Sequence, residues 1–372
     1  MESVDVCIIG GGMAGASVAY HVAPTASVLM LEREPHVGYH STGRSAALYH
    51  PQYGSAVIRS LTAASSEFYQ SPPAEFGTIL SPRGSLVIGR TDQQSAFEKH
   101  TKMAKASAQQ LAPLSAAEVV ALVPELRPEA VAWGLFDDLA MDMDVEVLLQ
   151  GYLRAARRNG LRVLTGQTVE AIARSGNRWC LRTRDLEIET GVVVNAAGAW
   201  TDEVAGLASI APLKLIPYRR TAFTFDAPNS ESGSRWPMII DADEQFYVKP
   251  DAGRILGSLS EEAPSAPCDA QPEDLDVAIA VDRIETAFNF PIKRVLRSWA
   301  GLRTFGPDRN PVSGFEESAP GFYWHGAIGG YGIQTSAALG AYAGAAIAGR
   351  KVPDELLAHG IRTVDLAPAR LR

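Results

Sequence analysis

Cysteine is scarce in this chain: Cys7, Cys180 and Cys268 are the only three in 372 residues, widely spaced and with no Cys-x-x-Cys pair. That excludes a disulfide framework and suits a reducing compartment. Histidine is also sparse, at seven. His36 and His40 stand four apart, but in a loop rather than on a helix face, so no metal site is expected. There is no dense lysine or arginine run, and 34 basic against 42 acidic residues leave a net charge of −8. A nucleic-acid surface is therefore not expected. Nor is there a long uninterrupted apolar run. The most membrane-like stretch, Ala327–Ala348, contains Gly340-x-x-x-Gly344 but is broken by Gln334, Thr335, Ser336 and Tyr342 and is dominated by alanine and glycine. It reads as a tightly packed helix rather than an integral membrane segment. No signal peptide is recognised before the first strand, and a cytoplasmic location is the expectation. What is present is a globular composition, 46% hydrophobic and 20% charged, in a chain long enough for two or three domains.

The strongest positive feature lies at the start. Val4-Asp5-Val6-Cys7-Ile8-Ile9 runs into Gly10-Gly11-Gly12-Met13-Ala14-Gly15 and then an apolar stretch, placing G-x-G-x-x-G between a buried strand and a helix. Cys7 falls inside that strand, as a small buried hydrophobe. Val28–Leu31 reads as the returning strand, and Glu32 ends it 22 positions past Gly10. Gly10 is expected to make the tight turn, Gly12 to let the backbone approach a pyrophosphate, and Gly15 to let helix and strand pack closely. The helix N-terminus then favours phosphate charge, and Glu32 is spaced for a ribose hydroxyl.

Beyond Pro72-Pro73 and Ser81-Pro82-Arg83-Gly84, a polar helix is expected over about Gln93–Leu111 and an amphipathic one over Leu148–Asn159, ending at Gly160. Strands are expected at Arg162–Leu164, Trp179–Arg184 and Glu187–Val194, the last entering the small-residue turn Asn195–Trp200. Tyr218–Phe225, Gln245–Pro250 and Arg254–Ser258 alternate with period two and suggest an antiparallel sheet. Parallel βαβ texture resumes near Gly321–Gly330. The expected fold is α/β, with a Rossmann-like nucleotide domain (1–78, 143–212 and 300–372) interrupted by an α+β, antiparallel-sheet substrate domain (79–142 and 213–299).

Three segments favour FAD over NAD. Arg33 and the loop Gly38–Ala47 carry hydroxyls and small residues, the turn Asn195–Trp200 can pass close to a cofactor, and Gly329-Gly330-Tyr331-Gly332-Ile333-Gln334 opens a helix. A helix N-terminus aimed at the N1/C2 side of a flavin stabilises the negative charge of its reduced form. Each segment alone is also what an ordinary loop or turn looks like; their conjunction and order carry the reading.

The stretches GYHSTGRSAA, VVNAAGAW, FYVKPDAG, WAGLR and GGYGIQTSAA resemble, over essentially the whole chain, the D-amino-acid oxidase/glycine oxidase superfamily of FAD enzymes, and within it the bacterial D-arginine dehydrogenases. The resemblance implies oxidation of an amine or amino acid by hydride transfer to the flavin. No cysteine follows Cys268, so FAD is expected to be held without a cysteinyl link. The cofactor set it implies is Gly10, Gly12, Met13, Ala14, Gly15, Glu32, Arg33, Ser41, Thr42, Arg44, Ser45, Ala46, Ala47, Val169, Ala197, Gly198, Trp200, Arg303, Gly329, Gly330, Tyr331, Gly332, Ile333 and Gln334.

An amino-acid substrate needs a cation for its carboxylate, and a guanidinium matches it in bidentate fashion. Arg303 sits in the apolar Trp299–Arg303 segment. Alternation puts Tyr218, Arg220, Ala222 and Thr224 on one strand face and Arg219, Phe223 and Phe225 on the other; Tyr247 shares a face with Gln245 and Lys249, opposite Phe246 and Val248. Alternation alone leaves open whether these side chains face solvent. The resemblance implies that Arg220, Tyr247 and Arg303 bind carboxylate, that Met238 contacts the substrate side chain, that the Gly330 carbonyl accepts from the amine, and that Tyr53 belongs to a mobile lid.

Two departures stand out. D-Arginine dehydrogenases carry an acid just after the Ser-Pro-Arg segment, facing basic side chains, whereas this chain continues Gly84-Ser85-Leu86. The lid region reads Leu48-Tyr49-His50, with histidine third rather than first. The expected function is oxidative deamination of D-amino acids to 2-oxo acids and ammonia, with neutral or apolar side chains tolerated. His50 is either a proton relay or a surface residue. A 2-hydroxy-acid or secondary-amine (sarcosine, glycine) flavoenzyme, a flavoprotein module needing a partner, and an NAD dehydrogenase are the alternatives. The electron acceptor, whether a quinone, another carrier or O2, is left open.

Overall fold

The computed structural model describes residues 2–106, 111–227 and 233–372. Its first sheet grows from the glycine motif. Strand Glu2–Ile9 pairs in parallel with Val28–Leu31 on one side and with Glu187–Asn195 on the other. Arg162–Leu164 extends the sheet beyond Val28–Leu31, and Phe322–Gly326 pairs in parallel with the C-terminal half of Glu187–Asn195. The N-terminal half of that long strand instead pairs with the hairpin Val169–Ser175/Arg178–Thr183. Period-two alternation decides the layers: Val6 and Ile8 enter one core, Cys7 and Ile9 the opposite one. Cys7 is fully buried, and burial pushes its thiol pKa well up.

Helices Met13–Val22, Val145–Arg158 and Gly332–Ile347 cover the first of these faces. Asp144 caps the second, its carboxylate accepting from the Val147 N–H at 2.8 Å. Gly332–Ile347 realises the helix expected in the membrane-like stretch. A Cβ at Gly344 would lie 2.4 Å from the His21 Cβ, and one at Gly340 2.8 Å from that of Ser17, so small residues set the approach of this helix to Met13–Val22. Among the described residues, no helix is long and apolar enough to cross a membrane.

Among the described residues the second sheet has nine strands, with Ile216–Phe225 paired antiparallel along nearly its full length to Val295–Phe305. On its other edge follow Arg254–Ser258, Tyr247–Asp251, Met238–Asp241, Ser85–Gly89, Trp133–Asp137 and Ala112–Ser115. Phe223 and Phe225 face a core closed by helix Asp274–Ala287, as alternation demands, leaving Arg220 and Ala222 on the opposite face. The sheet is not wholly antiparallel: Ser85–Gly89 runs parallel to Met238–Asp241, because the chain reaches it from a distant segment rather than through a hairpin. The strand expected at Gln245–Pro250 starts at Tyr247, since the Asp241 carboxylate accepts from the Asp243 and Gln245 N–H groups and holds Asp241–Gln245 as a turn. Of the polar helix, Gln94–Ala106 is helical; residues 107–110 lie outside the described residues.

Candidate functional site

A cleft of about 450 Å³ runs between the two sheets, and the glycine turn forms its floor. Gly10 takes a φ of +110°, and a Cβ there would meet the Ala196 carbonyl oxygen at 2.4 Å. A Cβ on Gly15 would stand 2.0 Å from the Gly10 oxygen. Gly15 therefore packs the turn and does not line the cleft, whereas Gly10, Gly12, Met13 and Ala14 do. Two helix N-termini, at Met13 and at Gly332, open onto this space. Neither has an acidic residue in its first turn or a side-chain cap from its N-cap residue. Their free N–H groups and positive dipole ends suit an anion and a flavin edge. One of them is partly spent: Thr42 Oγ1 accepts from the Met13 N–H at 3.0 Å.

Glu32 lines the cleft and does double duty, its carboxylate oxygens accepting from the Gly11 N–H at 2.8 Å and the Glu34 N–H at 2.9 Å. A carboxylate keeps further lone pairs for a ribose hydroxyl. At this end Arg33 stacks over the Trp200 ring at 3.7 Å, and His40 lies against the same ring at 4.7 Å. Of the other residues expected to hold the cofactor, Ser41, Thr42, Arg44, Ser45, Ala46, Val169, Ala197, Gly198, Gly329, Gly330, Gly332 and Ile333 line the cleft.

Arg44 touches the cleft, but its guanidinium is spent on structure, donating to the Ala270 and Ala300 carbonyls at 2.9 Å each. Ser41 Oγ donates to the Leu302 carbonyl at 2.6 Å. Together they pin the Gly38–Ala47 loop to strand Val295–Phe305. Three residues of the expected set stand outside the wall besides Gly15. Ala47 packs against the helix-covered core of the first sheet. Gln334 is a strut, its Oε1 accepting from the His50 N–H at 3.1 Å and its Nε2 donating to Thr62 Oγ1 at 3.0 Å. The Tyr331 ring turns towards Tyr53 and Phe305.

At the other end two guanidiniums meet. Arg220 and Arg303 come from the antiparallel pair in which Tyr218 faces Arg303 and Arg220 faces Gly301. Arg220 is only 7% exposed; its Nε donates to the Glu261 carbonyl at 2.7 Å, and its nearest carboxylate, Glu262, lies at 3.7 Å. Burial, reinforced by Arg303, lowers its pKa. Among the described residues, Arg303 has no salt bridge. Burial opposes its charge, but Tyr53, Tyr247 and Tyr331 outweigh that and raise its pKa, with the Tyr53 hydroxyl in hydrogen-bonding reach. Gly330 lets the guanidinium lie close to the backbone, since a Cβ there would sit 2.9 Å from the Arg303 guanidinium carbon and push that side chain aside. Arg220, Tyr247, Arg303 and Gly330 line the cleft. Met238 and Tyr53 do not: Met238 packs behind Ala222 and Tyr247, and Tyr53 lies over Arg303.

Sequence reasoning missed several groups. His325 lines the cleft, holds Ser313 through Nδ1 at 3.1 Å and leaves a buried Nε2 without a partner. Burial lowers its pKa to about 3, so it is neutral and free to hydrogen-bond a cofactor. Glu261 accepts from the Thr221 N–H, and burial raises its carboxyl pKa. Asp137, cross-strand partner of Ser85, is 3% exposed. None of these sits in a motif; only strand pairing assembles them.

The cradle fits FAD: two open helix N-termini, a stacked arginine–tryptophan end, a buried unpartnered imidazole nitrogen and a pair of buried arginines lie along one cleft. No cysteine lines it. The fold is shared with solved flavoproteins. Glycine oxidase from Geobacillus kaustophilus superposes with a TM-score of 0.84 at 19% identity, covering 94% of this chain and 96% of that one. L-alpha-Glycerophosphate oxidase from Mycoplasma pneumoniae, solved with FAD bound, gives 0.84 at 17% over 94% and 95%. L-Proline dehydrogenase from P. horikoshii gives 0.81 at 22% over 95% and 96%. Residues 5–346 match the FAD dependent oxidoreductase family known as DAO. The chain belongs to that family, and FAD is its cofactor.

Proposed function

We propose that this flavoenzyme oxidatively deaminates D-amino acids with neutral or apolar side chains, giving 2-oxo acids and ammonia. The observation that carries the reading is the pair Arg220/Arg303, two guanidiniums at one end of the cleft: among the described residues Arg303 has no salt bridge, and Arg220 has only Glu262, at 3.7 Å and shared with Arg309. A buried cation without a close counter-ion is costly unless a ligand supplies one. The chain's own residues would then divide the work. Arg220, Arg303 and Tyr247 hold the carboxylate, and the Gly330 carbonyl accepts from the amine and fixes the Cα–H direction. Met238 shapes the side-chain subsite from behind Ala222 and Tyr247, and Tyr53 closes over Arg303 to exclude water. FAD, when bound, accepts the hydride. The amine must be neutral to expel that hydride, so the site has to take up a proton before the chemistry.

The cofactor residues named above, non-covalent attachment, and the division of the chain into nucleotide segments 1–78, 143–212 and 300–372 and substrate segments 79–142 and 213–299 belong to the same proposal, as does a cytoplasmic location. Strand Val295–Phe305 crosses the last boundary unbroken, which gives that join a rigid connection. An arginine clamp does not by itself distinguish an amine from a hydroxyl, so oxidation of a 2-hydroxy acid or a secondary amine is the second reading. Anaerobic mixing of the purified yellow protein with D-amino acids, L-amino acids, sarcosine and 2-hydroxy acids decides between them. Bleaching of the flavin by D-amino acids is the expected result. Bleaching only by L-amino acids or 2-hydroxy acids overturns it.

A further inference from the structure

His50, which the sequence leaves between relay and surface residue, occupies a constructed position. Its Nε2 lies 3.0 Å from Ser85 Oγ, and its Nδ1 lies 4.0 Å from the Asp137 carboxylate. Nδ1 and the facing Asp137 Oδ2 are both buried and both lack a hydrogen-bond partner. Strand register explains the assembly. Met238 pairs with Ser85, and Ser85 pairs with Asp137, so the three lie in one row on the face that carries Tyr247. The same short loop carries Tyr53, whose ring centroid is 6.0 Å from that of His50 and which reaches Arg303. Its backbone is fixed by Gln334, two residues into the helix that starts with Gly332. The imidazole side chain is 13% exposed, Asp137 4%.

We propose that His50 accepts the proton that the substrate ammonium must lose, and that Asp137 is the positioning residue that stabilises the resulting imidazolium. This rests on the amine-oxidising reading above. The balance is simple. One ammonium N–H bond breaks; a bridging hydroxyl, that of Ser85 or of one water, takes this proton and passes its own to His50 Nε2, leaving a neutral amine and a charged imidazole. Nδ1–H then faces Asp137, and Ser85 changes from donor to acceptor on Nε2. No oxidant or further reactant is consumed in the transfer.

The electrostatics favour this order of events. Burial keeps His50 below its ordinary pKa, so it waits in the neutral, accepting form. Asp137 raises it in opposition, and His100 adds a smaller lowering effect. Ser85 and Gln334, from the other elements touching it, are uncharged, and Tyr53 is the remaining titratable group near it. Asp137 Oδ1 accepts from the Leu139 N–H at 2.9 Å, but a buried Oδ2 without a partner beside a neutral imidazole is a costly resting state that one proton relieves.

The test is the pH dependence of anaerobic flavin reduction in the FAD-loaded protein, with D-alanine and D-methionine, for wild type, His50→Asn and Asp137→Asn. Wild type is expected to lose rate as pH falls through one ionisation below neutrality. His50→Asn should reduce at least about tenfold more slowly at neutral pH, and its rising limb should move towards the alkaline range in which the free ammonium ionises. Asp137→Asn removes the raising influence, so its limb should move to lower pH. Benzoate, a carboxylate without an amine, should bind all three proteins with the same affinity. A His50→Asn profile superimposable on wild type overturns the inference, as does a matching loss of benzoate affinity, which marks structural damage. If His50→Asn does not retain flavin, the Asp137→Asn limb decides alone, an unmoved limb being contrary. If wild type binds benzoate but no amino acid reduces it, the amine-oxidising reading itself has failed, and the inference falls with it.

Discussion

The two ends of the cleft are built in different materials. The cofactor end is made of backbone: Gly10, Gly12, Ala197 and Gly198 present peptide groups, and two helix N-termini present N–H groups and dipole. The end proposed for the substrate is made of side chains from distant strands, with Arg220 and Arg303 beside Tyr247 while Glu261 and Glu262 hold Arg220 from behind. A backbone site is intolerant of added atoms but has no side-chain charge to lose. A side-chain site is the reverse. The same contrast explains why neighbours on this fold carry names as different as glycine oxidase and L-alpha-glycerophosphate oxidase.

Substitutions at the two ends should therefore fail differently. Gly15→Val is the most severe, because any Cβ meets the Gly10 oxygen. The purified protein should be colourless, which an absorbance spectrum reads directly; a yellow variant breaks the claim that backbone approach builds the cradle. Arg303→Ala should keep its flavin and lose the substrate end alone, with the rate of anaerobic reduction per substrate concentration falling about a hundredfold or more. Loss of flavin in that variant would blur the division.

Acid should act on two buried histidines, His325 in the cleft and His21 in the last turn of helix Met13–Val22. His325 and His21 have folded pKa values lowered by burial to about 3 and about 4, against 6.5 when exposed. The unfolded chain takes up these protons first, so stability is full above pH 6.5 and is lost as pH falls towards 4 and then 3. His325→Gln should flatten the dependence of the urea midpoint on pH across that window; an unchanged slope removes His325 from the account. The smallest effect belongs to Glu262→Gln. Glu262 is shared between Arg309 at 2.8 Å and Arg220 at 3.7 Å, so neutralising it should tighten carboxylate binding by about two- to fivefold. Weaker binding would mean that Glu262 positions Arg220 rather than competing for it.

The same contrast governs what was legible in the chain. The Gly10–Gly15 turn, strand Val28–Leu31 and Glu32 are contiguous, and the local rules of turn and alternation suffice for them. Alternation also separated Arg220 from Phe223 and Phe225. What stayed hidden depends on pairing between remote segments. Ser85–Gly89 joining Met238–Asp241 in parallel brings Ser85, the partner of both Asp137 and His50, beside Met238, and no local pattern encodes that neighbour. Gln334 illustrates the converse: it lies inside a motif that touches the cofactor cleft, yet its side chain turns away to brace His50 and Thr62.

The account's central claim is that this cleft holds FAD at one end and a carboxylate at the other. Titrating the oxidised, FAD-loaded protein with benzoate while recording the flavin absorbance tests it most directly. A saturable shift of the flavin bands in wild type, lost in Arg303→Ala and in Arg220→Ala with flavin content unchanged, is the predicted result. A spectrum that benzoate leaves unmoved, or a shift that survives both substitutions, would contradict it.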